Sequence, residues 1–348
     1  MKHALISGIT GQSGSYLAEY LISLDYLVYG LVRRTSAPTT SRLAHLLDSI
    51  QLIEADLTDS ASLQRALLVS KPQEVYHLAG QSAVGTSFVE PELTADVTGL
   101  GTLRLLEAIR LYAPVSERTR IYFAGSNEQY GNLTGLPYTE RTAMNPCSPY
   151  GAAKKFAYDI CQTYRQAYGM FIACGIACNH ESPRRGEQFV TRKITKGIAN
   201  ILTGHQEIIR LGNLSAKRDF IHAKDLVRGA WQTLQQPFSD NYVFASGVSY
   251  SIQEFAEYAC NYAGLDYSKV IRTDPSLRRP TDIADLYGLS EKASACFGWR
   301  PTITFQELVR EMVDADLALA GYRHPVPSVG CQASDPVPAI DSGSGLSP

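Results

Sequence analysis

Residues 3–14 read HALISGITGQSG, and this stretch decides the fold. HALIS is an apolar run of strand length. Three glycines follow at i, i+3 and i+6 (Gly8, Gly11 and Gly14), and then an amphipathic segment, YLAEYLISL (16–24). Glycine lets a backbone turn tightly and approach a pyrophosphate, and a helix N-terminus offers it unpaired N–H groups and the positive end of a dipole. A glycine loop alone is a weak sign. Between a first strand and a first helix it points to a dinucleotide-binding turn.

Outward from this turn the same rhythm repeats. Apolar runs at 26–32, 50–57, 74–80, 120–126 and 171–178 alternate with helical patterns at 62–70, 101–112 and 149–169. Strand, helix, strand at this spacing predicts βαβ units: an α/β chain with a Rossmann-type, doubly wound parallel sheet. After about residue 180 the pattern loosens. Helices are expected at 190–204, 224–236, 251–263, 290–297 and 305–320, with strands at 207–213 and 241–247. We read residues 1–180 as the nucleotide domain, to which some later segments return. Residues 181–322 then form an interleaved, smaller C-terminal substrate-binding lobe. The tail, 325–348, is rich in Pro, Ser and Gly without periodicity and reads as disordered.

Bulk properties exclude several classes. The chain has 348 residues, a formal net charge of −2 and 19% charged residues. No global basic field is available for nucleic acid or an anionic membrane, so neither is expected as a partner. No run approaches the ~18 apolar residues of a membrane span, and the first strand leaves no room for a signal peptide. Seven scattered cysteines show no metal-ligand spacing, which favours reduced thiols in a cytoplasmic protein and no metal.

Two further places carry chemistry. The second strand ends in LVRRTS, and an arginine there (Arg33, beside Arg34) suits the 2′-phosphate of NADP where an acid would suit NAD. Asp56 and Leu57 close the third run, where a carboxylate could meet the adenine. The second place is YGAAK (150–154). Tyr150 and Lys154 share one helix face at i, i+4, where an ammonium is expected to lower the phenol's pKa. Such a tyrosine removes a hydroxyl proton while hydride leaves the same carbon. Ser126, at a strand end in the same sheet, could orient the substrate oxygen. In YFAGSNEQYG (122–131), an extended backbone would put Ser126 and Glu128 on one side and Asn127 on the other.

The glycine loop, Ser…Tyr-x-x-x-Lys and the length resemble the extended short-chain dehydrogenase/reductases that act on nucleotide sugars. The likeness narrows to the GDP-mannose 4,6-dehydratases through TADVTGLGTLRLLEAIR, SPYGAAK, NHESPRRGEQFVTRKIT, LGNLSAKRDFIHAKD and RRPTDI, over residues 1 to about 320. The resemblance implies a lyase using NADP, held also by Thr10, Gln12, Leu78, Tyr150 and Lys154. It implies that Tyr150 serves oxidation at C4 and that Glu128 takes the C5 proton and helps expel the C6 hydroxyl. For the GDP-sugar it implies Ser82, Asn179, Arg185, Lys193, Arg218 and Arg279. It also implies a homo-oligomer, dimer or tetramer, through the Arg33–Arg42 loop. Two places depart from the family's pattern. Gln12-Ser13-Gly14 stands for Gln-Asp-Gly, and Ser126-Asn127-Glu128-Gln129 for Thr-Ser-Glu-Leu. The second change is expected to alter the pocket wall, which leaves mannose and manno-heptose both open. The rivals are a reductase or epimerase of the keto product, against which Glu128 argues, and a non-catalytic NADP sensor, against which the intact Ser126, Tyr150 and Lys154 argue.

Overall fold

The computed structural model describes residues 1–36, 40–112, 119–133 and 137–322. Its main layer is a seven-stranded, all-parallel sheet. In chain order the strands are β1 (His3–Ser7), β2 (Leu27–Val32), β3 (Ile50–Glu54), β4 (Glu74–His77), β5 (Arg120–Ser126), β6 (Ile172–Ala177) and, much later, Asn241–Phe244. Their spatial order runs β3, β2, β1, β4, β5, β6 and then Asn241–Phe244, each pair parallel. This is the expected doubly wound sheet, and the winding reverses between β1 and β4. Such switch points open a crevice outside the carboxyl ends of the strands.

The helices α1 (Gln12–Ser23), α2 (Ser60–Ser70), α3 (Gly101–Leu111) and α4 (Pro149–Tyr168) cover both faces. That cover explains why β4 and β6 are buried at every position: β6 (IACGIA) reads as an unbroken apolar run rather than an alternating one, and β4 keeps only Val75 and Tyr76 between a buried Glu74 and a buried His77. Leu5, Ile6, Val75, Tyr76, Ile121, Phe123 and Ile172 form the centre of this core.

A second, smaller core gathers Ile194, Phe220, Phe255, Leu308 and Met312. The elements after β6 are β7 (Asn179–Glu181), α5 (Val190–Leu202), β8 (Ile209–Leu211), β9 (Lys217–His222), α6 (Ala223–Leu234), β10 (the Asn241–Phe244 strand named above), β11 (Ser249–Ser251), α7 (Ile252–Tyr262), β12 (Ile271–Thr273), β13 (Asp285–Leu286), α8 (Glu291–Phe297) and α9 (Phe305–Leu319). Of these, α6 packs on α1 and β10 extends the large sheet beside β6. The small sheet centres on β9, which pairs with β7, β11 and β13.

Two stretches differ from the sequence reading. The helix expected from residue 101 is preceded by a helical turn at Pro91–Thr94 and a π-helical turn at Ala95–Leu100. A π turn breaks the 3.6-residue repeat, so the apolar period does not reveal it. Ser41–Ser49 is a 3₁₀ segment that had no sequence signal. The tail read as disordered lies outside the described residues. No described helix is long and apolar enough to cross a membrane.

Candidate active site

A cavity of about 880 Å³ opens at the carboxyl ends of β1, β4, β5 and β6. Every site residue singled out from the sequence lines it. At one end is the glycine turn. Gly8 has φ +77°, and a Cβ placed on it would lie 2.8 Å from Ala79 N; a Cβ on Gly14 would overlap Gly8 O. The turn is therefore closed to side chains and open to a ligand. No side chain caps α1, so its first-turn N–H groups are left for that ligand. Gln12 is spoken for: its Nε2 donates to His180 O at 2.9 Å and its Oε1 accepts from Ser182 Oγ at 2.7 Å, tying the turn to β7 and the residue after it. Arg33, Asp56, Leu57 and Leu78 complete this end. Asp56 Oδ1 already accepts from Thr58 N and Oγ1, both at 2.8 Å. These features fit a dinucleotide.

The middle of the cavity holds the polar cluster. Ser126 ends β5 and caps a 3₁₀ turn, Asn127–Gln129: its Oγ accepts from Glu128 N at 3.3 Å, and Gln129 Oε1 reaches back to Ser126 N at 2.8 Å. The strand does not continue through Glu128. The turn corrects the extended reading, and all of Ser126, Asn127 and Glu128 reach the cavity. Gln129 does not line it. Its amide is used by the cap and by a contact of Nε2 with Met144 Sδ at 3.3 Å, so of the two residues expected to alter the pocket wall only Asn127 reaches the cavity directly.

Tyr150 and Lys154 stand on the first turns of α4, but not as an ion-assisted pair. Lys154 Nζ donates to Ala124 O at 2.7 Å, and burial pulls its pKa down to about 8. Burial pushes the Tyr150 phenol up to about 12; a hydrogen bond to Ser126 and the charge of Arg185 act against that, and Glu128 adds to it. The expected lowering of the phenol by lysine is therefore absent, because the ammonium is turned onto the β5 backbone. Burial likewise raises the Glu128 carboxyl, with Arg218 and Arg279 opposing and Asp282 reinforcing the shift.

The far end is cationic. Arg218 is buried, with Nη1 on Ile283 O at 2.7 Å and Nη2 on Asp282 Oδ1 at 2.9 Å. Arg279 lies 3.8 Å from the same carboxylate. Arg185 Nε is 3.1 Å from Glu181 Oε2, and its guanidinium stacks over Phe189. Lys193 has no ion-pair partner among the described residues. Asn179 faces Asn127 across 3.5 Å, and Ser82 stands exposed at the mouth.

The sequence model of a family described as GDP-mannose 4,6 dehydratase matches residues 5–312. The chain belongs to that family. A GDP-mannose 4,6-dehydratase of Vibrio cholerae is 44% identical over 93% of this chain and 95% of its own length. Among solved structures, a UDP-glucose 4-epimerase of Thermus thermophilus in complex with NAD superposes with a TM-score of 0.79 at 25% identity, covering 91% of this chain and 99% of that one. RMD from Pseudomonas aeruginosa, complexed with NADPH, gives 0.75 at 25% identity, covering 91% and 100%.

For a GDP-mannose 4,6 dehydratase family member, Asp282 and His180 are among the cavity residues that went unnamed in the sequence reading. Asp282 sits in RRPTDI and His180 in NHESPRRGEQ, both strings that were singled out. Asp282 joins Arg218, Arg279 and the Asn213 amide (3.1 Å), contacts across 64 and 69 positions that one sequence does not show. His180 is held neutral by burial, with its pKa pulled down to about 3. Of the Arg33–Arg42 loop, 37–39 lie outside the described residues. Arg42 itself turns inward, donating to Arg184 O at 2.8 Å and Thr10 O at 3.3 Å.

Proposed function

We propose that the protein converts GDP-mannose to GDP-4-keto-6-deoxy-mannose with NADP as a cofactor regenerated within each turnover. The observation that carries this reading is one buried carboxyl, Glu128, in the same cavity as Ser126, Tyr150 and Lys154 and within the influence of Arg218 and Arg279. A plain reductase has no need of a carboxylate there. A dehydratase needs one to remove the C5 proton.

The nicotinamide, held by the glycine turn, Leu78, Tyr150 and Lys154, would supply a hydride acceptor at C4 and a donor at C6. The protein's part is proton handling. Tyr150 takes the C4 hydroxyl proton, with Ser126 holding that oxygen. The ketone so formed acidifies C5–H. Glu128 takes that proton and delivers it to the departing C6 hydroxyl, which leaves as water and opens a C5=C6 bond. The proton that Tyr150 took from the C4 hydroxyl makes good the one C5 lost to the water, and with hydride that the cofactor would return to C6 the balance is loss of one water and no net redox change. Burial raises the Glu128 carboxyl above its ordinary value, which favours its holding the C5 proton long enough to pass it on. Arg185, Arg218, Arg279 and Lys193 offer guanidinium forks and an ammonium to the diphosphate, with Asn179 and Ser82 nearer the sugar.

Arg33 supports NADP over NAD. It is exposed at the cavity rim and has no ion-pair partner among the described residues. Arg33→Ala is expected to erase a preference for NADP+ over NAD+ in direct binding. We also infer a homo-oligomer, with the 33–42 loop reaching a neighbour, to be read by light scattering with and without NADP+.

The deciding experiment incubates the protein with GDP-mannose and, separately, GDP-manno-heptose, with no reductant added. Formation of the 4-keto product from GDP-mannose is the expected result. Product from the heptose alone would reassign the sugar, and product from neither would sink the dehydratase reading.

A further inference from the structure

Ser7 and His77 are the last residues of β1 and β4, and they pair in register at the switch point. Both are buried. His77 Nδ1 lies 2.7 Å from Ser7 Oγ, and Nε2 lies 2.9 Å from Thr102 Oγ1 in the first turn of α3. The Thr102 hydroxyl donates to Thr98 O, in the π turn, at 2.8 Å. A hydroxyl has one proton, so the Thr102 bond to Thr98 O selects one set of directions along this chain of bonds. Thr102 spends its proton on Thr98 O and accepts from His77 Nε2–H. Nδ1 then carries no proton and accepts from Ser7 Oγ–H. Ser7 Oγ in turn accepts from Ala79 N at 3.3 Å. Thr98 Oγ1 extends the chain by accepting from Gln81 N at 3.0 Å. Burial, helped by the charge of Lys154, keeps the ring neutral.

Each branch stops at the cavity wall. Gly8 follows Ser7, Leu78 to Gln81 follow His77, and Val97 precedes Thr98; all of these line the dinucleotide end. The clearance there is small, since even a methyl on Gly8 would meet Ala79 N. We propose that His77 is a positioning residue for the dinucleotide, clamping the exits of β1 and β4 and the π turn at the separation the cofactor requires. It touches no ligand and acts through Ser7, Thr102 and Thr98. The proposal rests on reading this cavity as a dinucleotide site.

The test measures NADP+ binding to the full chain by calorimetry, and GDP-mannose KM at saturating cofactor. His77→Leu strands two buried hydroxyls and is expected to weaken NADP+ about tenfold or more, with the sugar-nucleotide KM held within about twofold. His77→Asn, which restores an acceptor at the Nδ1 position, is expected to recover most of the loss. Nitrogen-15 NMR of the histidine rings should place the His77 proton on Nε2. Unchanged cofactor affinity in His77→Leu, equal losses for both ligands, or a proton on Nδ1 would overturn the proposal. Where His77→Leu does not fold, Thr102→Val carries the same comparison, and unchanged affinity there overturns it too. A parent chain that binds neither NADP+ nor NAD+ sinks the cofactor reading and this proposal together. One that binds cofactor but dehydrates nothing sinks only the catalytic reading.

Discussion

Glu128 holds an acid where the surroundings favour its protonated form, because burial outweighs the pull of Arg218 and Arg279. Glu128→Gln keeps the shape and removes the base. Product formation is expected to fall by about 100-fold or more, while reduced cofactor builds up in a single turnover because C4 oxidation needs only Tyr150 and Ser126. Normal dehydration by this variant would remove Glu128 from the mechanism. A second expectation concerns stability. A carboxyl raised in the folded state binds its proton more tightly folded than unfolded. Its contribution is fully present below the unfolded value of about 4.3 and is lost as pH rises through the raised one. Glu128→Gln escapes that loss. It should therefore melt higher than the parent at pH 8, and the difference should shrink as the pH is lowered towards the ordinary carboxylate range. That Ser126, Glu128 and Tyr150 meet in one cavity was legible, because a strand end and a helix start at the carboxyl edge of a parallel sheet come together there. The orientation of Lys154 was not, because Ala124 O competes for its ammonium and a helix-face argument sees only the helix.

Among elements, the 3₁₀ turn after β5 controls what the polar cluster can do. Ser126 caps it, and Gln129 reaches back to the Ser126 N–H, so the turn is held from both ends. Gln129→Ala is expected to lower stability by about 1 kcal/mol. Because the turn carries Glu128, the substitution should also slow elimination more than C4 oxidation, a split visible in the ratio of reduced cofactor to product. The glycine turn is stricter. Gly14→Ala forces a methyl into Gly8 O and should abolish cofactor binding in a chain that still folds, checked by calorimetry alongside circular dichroism. The strands and α1 to α4 were readable since long apolar runs and repeats of 3.6 leave strong traces. The π turn and the 3₁₀ segment at Ser41–Ser49 leave none, and the turn after β5 leaves only the Ser-x-x-Gln spacing of its cap, too short a trace to override the strand before it.

At the scale of the whole molecule, the last helix reaches the cavity through a buried relay. Asp316 on α9 pairs with Arg192 Nε at 2.8 Å and accepts from Thr195 Oγ1 at 2.6 Å. Arg192 donates to the carbonyls of Pro183 and Arg185, fixing the loop that presents Arg185. Asp316→Ala leaves a buried guanidinium unpaired. A loss of about 3–5 kcal/mol is expected, with a rise in the GDP-mannose KM larger than the fall in kcat, measured by thermal melts and steady-state kinetics. This relay, like the sharing of Asp282 by two arginines, joins residues more than 60 positions apart and could not be read from one sequence. The route of the chain through the large sheet bears on its engineering. Because β10 enters beside β6 only after α5, β8 and β9 have been laid down, the seam between the lobes is crossed more than once. A substrate lobe borrowed from a relative therefore cannot be joined at a single splice near residue 180. A working chimera needs at least two junctions, one on each side of the strand that comes home.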